Sequence, residues 1–146
     1  MEMHRLKDIT RVLGSSELVL FKRNVNILLR IDLHNQLSLE KLSISINKIK
    51  YKHPLSSSYI TPNNPLSFST SFDREIPINT TYKSIDDLID GELSHSFNYE
   101  QPLMRVCVVE NTLFFNFSHA IADAHGAIIY IKDLFSFYEG ELVKQT

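Results

Sequence analysis

The stretch FFNFSHAIADAHGAIIYIKDL, residues 114–134, carries the residue types and spacing best suited to chemistry. A run of phenylalanines ends in Ser118 and His119, and Asp123 follows four residues on. An imidazole ordinarily titrates at about pH 6.5, so a histidine held at the end of a buried strand and facing a cleft is suited to taking a proton from a substrate near neutral pH. Asp123 stands at the start of a helical pattern, where unpaired backbone N–H groups stabilise a carboxylate. Capping that helix, pairing with an arginine and shaping the turn are the three roles open to it. A strand-end histidine followed by a capping aspartate also arises without catalysis, so the spacing alone does not carry the assignment.

Two other chemistries fit these residues less well. His119, Asp123 and His125 are metal-ligand types, but a helical pair of histidines four residues apart is missing, and His125 points elsewhere once the helix has begun. No metal is expected. Ser118 adjoins His119, yet neighbouring residues of a strand point to opposite faces, so a Ser118–His119 nucleophile and base cannot easily form. Cys107 is the sole cysteine; it excludes an internal disulfide and, within the strand-like MRVCVVE, reads as a buried small hydrophobe.

The elements that position the pair follow from periodicity. NVNILLRIDL (24–33) puts Val25, Ile27, Leu29, Ile31 and Leu33 on one side, the period of a strand. Ser38 caps a helix marked by Leu39, Leu42, Ile46 and Ile49, which ends near His53 because Pro54 disfavours helix in the residue before it. Four prolines between 54 and 77 predict loops, with short strands near 57–61 and 66–72. Ser84 caps a short helix over 85–93. PLMRVCVVENTLFFNFS reads as a hairpin turning at Glu110–Asn111, its second strand running into His119. The final helix is predicted over about 125–138, with Ala127, Ile128, Ile131, Leu134, Phe135 and Tyr138 at helical spacing and Gly140 as its stop.

Strands alternating with helices predict an α/β fold, an α+β two-layer sandwich with a mixed sheet and helices on one face, built as a single domain over 1–146. Of 146 residues 43% are hydrophobic and 22% charged, with a net charge of −2, the balance of a soluble globular protein without the basic surface that nucleic acid requires. No apolar run approaches the roughly 20 residues of a membrane span, and MEMHRLKDITRVLG lacks a signal peptide's apolar core, so a cytoplasmic location is expected.

Taken with its neighbours, SHAIADAHGAIIYIKDLFSFYEG resembles the signature of the condensation-domain and CoA-dependent acyltransferase superfamily, a His-His-x-x-x-Asp-Gly stretch relaxed to His-x-x-x-Asp in some members. QPLMRVCVVE resembles that superfamily's Pro-Leu-x-Arg strand, and LSLEKLSISINKIKYKHPL its first long helix and His-Pro turn. The resemblance implies one lobe of the two-lobed chloramphenicol acetyltransferase fold. It further implies His119 as general base, Asp123 as a structural brace with Arg105 as its partner, and a reaction moving an acyl group from a CoA or carrier-protein thioester to an alcohol or amine. No bound cofactor is implied. Ser118 stands where the first histidine falls. Ala124 replaces the glycine after the aspartate, which leaves Gly126 to take over a shifted turn or alanine to bear strain.

Superfamily members are much longer, and their tunnel lies between lobes or subunits. The chain therefore reads either as an acyltransferase lobe or as a truncated, non-catalytic lobe that binds a partner or itself, for instance as a symmetric dimer. Its methionine start and polar end are compatible with a complete short chain, and a fragment of a longer protein remains the third option.

Overall fold

The computed structural model describes residues 9–62 and 65–144. Its larger sheet has four strands in the order β2-β7-β6-β5: β2 Asn26–Asp32, β7 Thr112–Ser118, β6 Met104–Val109 and β5 Ile78–Asn79. All pairs are antiparallel except β5 with β6, which is parallel. A smaller antiparallel sheet runs β1-β4-β3, from Ile9–Val12, Ser67–Thr70 and Ser58–Thr61. The helices are α1 (Ser15–Lys22), α2 (Leu39–Ile49), α3 (Ile85–Leu93) and α4 (Ala124–Lys144), with a 3₁₀ turn at Pro54–Ser57.

Period-two alternation sorts the larger sheet into two faces. Ile27, Leu29 and Ile31 of β2, Leu113, Phe115 and Phe117 of β7, and Met104, Val106 and Val108 of β6 share one core with Leu42, Ile46 and Ile49 of α2 and Ala127, Tyr130, Leu134 and Tyr138 of α4. The intervening residues Leu28, Phe114, Cys107 and Val109 are apolar too, and they pack against Leu88 and its neighbours on α3. Helices therefore cover both faces of this sheet rather than one. Cys107 is fully buried, and burial pushes its thiol up to about 12, which leaves it an inert hydrophobe.

The predicted caps account for the helix starts. The Ser38 hydroxyl accepts from the Lys41 N–H at 3.3 Å, and Ser84 from Asp87 at 3.1 Å. The β6–β7 hairpin turns at Glu110, whose φ of 54° is the left-handed geometry a tight hairpin needs. Asn111 pins the loop after β2: its carbonyl accepts from Leu33 N–H and its Oδ1 from Leu37 N–H. α4 runs past Gly140, which has φ below zero like every described glycine and continues the helix instead of ending it.

The smaller sheet and α1 form a second core of Leu13, Phe21, Ile60, Phe68, Phe97, Leu103 and Ala120. Ala120 belongs to this core and Phe117 to the first, with Ile121 packed against both. The turn carrying His119 thus sits where the two cores meet.

Candidate functional site

β7 is buried at all seven positions and lies between β2 and β6, so its end is fixed from both sides. The Ser118 N–H donates to Leu103 O at 2.8 Å and the next N–H, that of His119, donates to Val25 O at 2.7 Å. The two bonds run in opposite directions across the sheet and hold the His119 backbone. Ser118 is 2% exposed, and its hydroxyl accepts from the Ala120 N–H at 3.3 Å, so it shapes the turn. His119 is half-buried. Its Nδ1 is enclosed and has no hydrogen-bond partner.

Asp123 resolves among its three open roles as the cap of α4. Its carbonyl accepts from the Ala127 N–H at 2.9 Å and its Oδ1 from the Gly126 N–H at 2.7 Å. This explains Gly126 without invoking backbone freedom: a Cβ there would lie 3.2 Å from Asp123 Oδ1, tight against the cap. Ala124 is the first helical residue and has no positive φ, so replacing glycine by alanine causes no strain at this position. Asp123→Ala is expected to lower stability by about 1 kcal/mol through loss of the cap, with Asp123→Asn recovering most of it, as chemical denaturation would show. An arginine-pairing role would instead make the two variants equally damaging.

The pairing of Arg105 with Asp123 does not occur. Arg105 grips Glu92 of α3 with both arms, Nε to Oε1 at 2.9 Å and Nη2 to Oε2 at 3.1 Å. Parity along β6 is the reason: Met104 and Val106 face the α4 side, so Arg105 faces α3. Glu92 is 1% exposed and also accepts from the Tyr82 hydroxyl at 2.7 Å and Asn116 Nδ2 at 3.3 Å. Burial alone would push the Glu92 carboxyl up, but the hydrogen bonds from Arg105 and Tyr82 and the guanidinium charge outweigh it and hold the carboxyl below its ordinary value. Arg105 is a structural clamp between sheet and α3.

A cavity of about 530 Å³ opens beside the signature loop, between the 53–57 turn and the start of α4. Asp123 and Gly126 line it, as do Leu55, Phe117, Ile121 and Ile129, whereas His119 does not. Its polar groups include His53, whose Nε2 lies 2.7 Å from Asp133 Oδ2, and Lys52, 3.3 Å from the same oxygen. Sequence reading passed over this group. His53 served to mark a helix end and a His-Pro turn, with no polar partner foreseen, and Asp133 carries no sequence signal, being one carboxylate in a helix. Tyr130 lies on the inner face of α4 at 3% exposure while Ile128 is 47% exposed, a phase the apolar residues alone did not reveal. No group of three or more potential metal ligands occurs among the described residues, and His125 is exposed.

No protein-family model matches the sequence, and no curated protein matches it. Solved structures do match. The starter condensation domain of rhizomide synthetase aligns over 94% of this chain and 39% of its own, with a TM-score of 0.75 at 10% identity. Polyketide synthase associated protein 5 from Mycobacterium tuberculosis aligns over 91% and 33%, with 0.68 at 18% identity. The EpoB NRPS cyclization-docking bidomain from Sorangium cellulosum aligns over 90% and 31%, with 0.70 at 17%. The chain has a condensation-domain-like fold. It spans about a third of the length of the structures it matches, so it corresponds to a lobe of that larger architecture. No described helix of this lobe is long and apolar enough to cross a membrane.

Proposed function

We propose that this condensation-domain-like lobe serves acyl transfer from a thioester, on CoA or a carrier protein, to an alcohol or amine, with His119 as general base. The observation that carries the reading is the order of parts on this fold: a fully buried strand delivers His119, and four residues later Asp123 caps the following helix. In the proposed step the base takes the acceptor's proton as the acceptor oxygen or nitrogen attacks the thioester carbonyl, and the proton then leaves with the thiol. A neutral imidazole acting through Nε2 carries its proton on Nδ1, and Nδ1 here is enclosed without an acceptor. Among the described residues no group accepts from that Nδ1–H, so no hydrogen bond fixes the reactive tautomer in the lone lobe.

A second reading is favoured by a separate observation. His119 does not line the cavity beside its own loop, and Val25, Ile128 and Ile129 around that end are exposed apolar residues. A lobe of this kind that binds a second copy or a larger partner, without catalysis, would look the same. The two are separated by supplying acyl-CoA and a panel of alcohols and amines to the purified chain while its mass is followed by light scattering. Acyl transfer is expected, and only from the associated species. Self-association with no turnover in any species selects the binding module, and a strictly monomeric, inactive protein removes self-association and acyl transfer by a self-associated lobe alike.

A further inference from the structure

The cavity beside the signature loop contains a polar group of its own. His53 and Asp133 approach to 2.7 Å through Nε2 and Oδ2, and the hydrogen bond from His53 followed by that from Lys52 holds the Asp133 carboxyl below its ordinary value. An ionised carboxylate only accepts, so the proton in this contact belongs to Nε2. When His53 is neutral, Nδ1 then carries a lone pair. That Nδ1 has no partner among the described residues and is not enclosed, unlike Nδ1 of His119. The ring is braced edge-on by Tyr130, with centroids 5.4 Å apart, and His53 lines the cavity.

The rest of the lining states what would accompany a group that donates to this nitrogen. Leu55, Phe117, Ile121, Ala122 and Ile129 make the wall mainly apolar, and about 530 Å³ is an ordinary size for a small-molecule site. Lys52 is already paired with Asp133, and the Asp123 carboxylate at the wall accepts from Gly126, so neither is a free ion seeking a charged ligand. A carboxylate ligand would face the Asp123 carboxylate at the wall, and a charged group of either sign would be desolvated against a mainly apolar lining.

We propose that this cavity binds a neutral apolar alcohol, whose hydroxyl donates a hydrogen bond to His53 Nδ1 while Asp133 positions the ring. The inference stands apart from acyl transfer, because binding requires no thioester and no second lobe. The test is titration calorimetry at pH 8, above the ordinary imidazole value, with 1-octanol, octyl methyl ether, octylamine and octanoate as probes. The ether has the same apolar chain and accepts but cannot donate, so 1-octanol should bind tighter by roughly 2- to 10-fold, the worth of one hydrogen bond. His53→Phe should abolish that preference and leave ether binding intact, and Asp133→Asn should weaken it. If His53→Phe fails to fold, the wild-type comparison and Asp133→Asn still decide. Equal binding of alcohol and ether, a preference that survives in a folded His53→Phe, tighter binding of octylamine or octanoate, or no saturable binding of any probe would each overturn the proposal.

Discussion

His119→Ala is expected to lower kcat/KM for acyl transfer, once a competent thioester and partner are supplied, by on the order of 10²–10⁴, the usual contribution of a positioned base. At about 1.4 kcal/mol per tenfold, this is roughly 3–5 kcal/mol of transition-state stabilisation. The loss should appear without matching unfolding. The His119 backbone is anchored by its own N–H to Val25 O and by the Ser118 N–H to Leu103 O, neither of which involves the imidazole. Removing a half-buried ring whose Nδ1 is enclosed and unpaired takes away apolar contact and an unsatisfied polar atom together, so the melting temperature should move little. A folded His119→Ala protein turning over at the wild-type rate would defeat the general-base assignment. An alanine variant that is slow only because it no longer associates would show in light scattering as a lost complex.

Period and cap chemistry made much of this fold legible. β2, α3, the start of α2 and the β6–β7 hairpin stand where alternation, the caps Ser38 and Ser84 and the turn at Glu110–Asn111 put them, because each is written in residues close together in the chain, whereas α2 stops at Ile49, short of the end expected near His53. β1, α1 and β5 were not foreseen. β5 is a two-residue strand defined only by its parallel pairing with Val106 and Cys107, and ITRV of β1 acquires meaning only against β4. The same distinction governs the site. His119, Asp123 and Gly126 lie within eight residues, so the cap was legible as one of three roles for Asp123, and the Gly126 N–H to Asp123 Oδ1 bond selects it. Arg105–Glu92 and His53–Asp133 join residues 13 and 80 apart, so only the assembled sheet and helices show which side each arginine, histidine or carboxylate faces.

That parity also separates two tasks that the resemblance merged. The α4 face of the sheet meets the cavity, through Phe117 and Asp123, whereas the α3 face holds a polar network of Glu92, Arg105, Tyr82 and Asn116. Asn116 Oδ1 and Asn26 Oδ1 are buried on that polar side without partners. The site's brace is therefore local, one carboxylate on one helix end, and the long-range charge pair secures the opposite layer.

Arg105→Met tests that separation and is expected to cost about 3–5 kcal/mol in chemical denaturation, since it strands a carboxylate that is 1% exposed. Coupling should identify the partner. Combined with Glu92→Gln, which keeps an acceptor for Tyr82 but removes the charge, the loss should fall well short of the sum; combined with Asp123→Ala, the two losses should add to within about 0.5 kcal/mol. An arginine that braced Asp123 would give the reverse pattern. Acid provides an independent check. In the native protein Glu92 titrates below its ordinary value of 4.5, so its contribution is full above that value and is lost as pH falls through the lower, folded one. In Arg105→Met burial acts without the guanidinium and raises the carboxyl, so the stranded group becomes neutral on acidification and the penalty is relieved. Asp133 and the other carboxylates titrate alike in both proteins. The stability gap between native and variant should consequently narrow from pH 7 to pH 4, and a gap that stays constant or widens would show that Arg105 contributes through packing of its stem and not through the Glu92 charge.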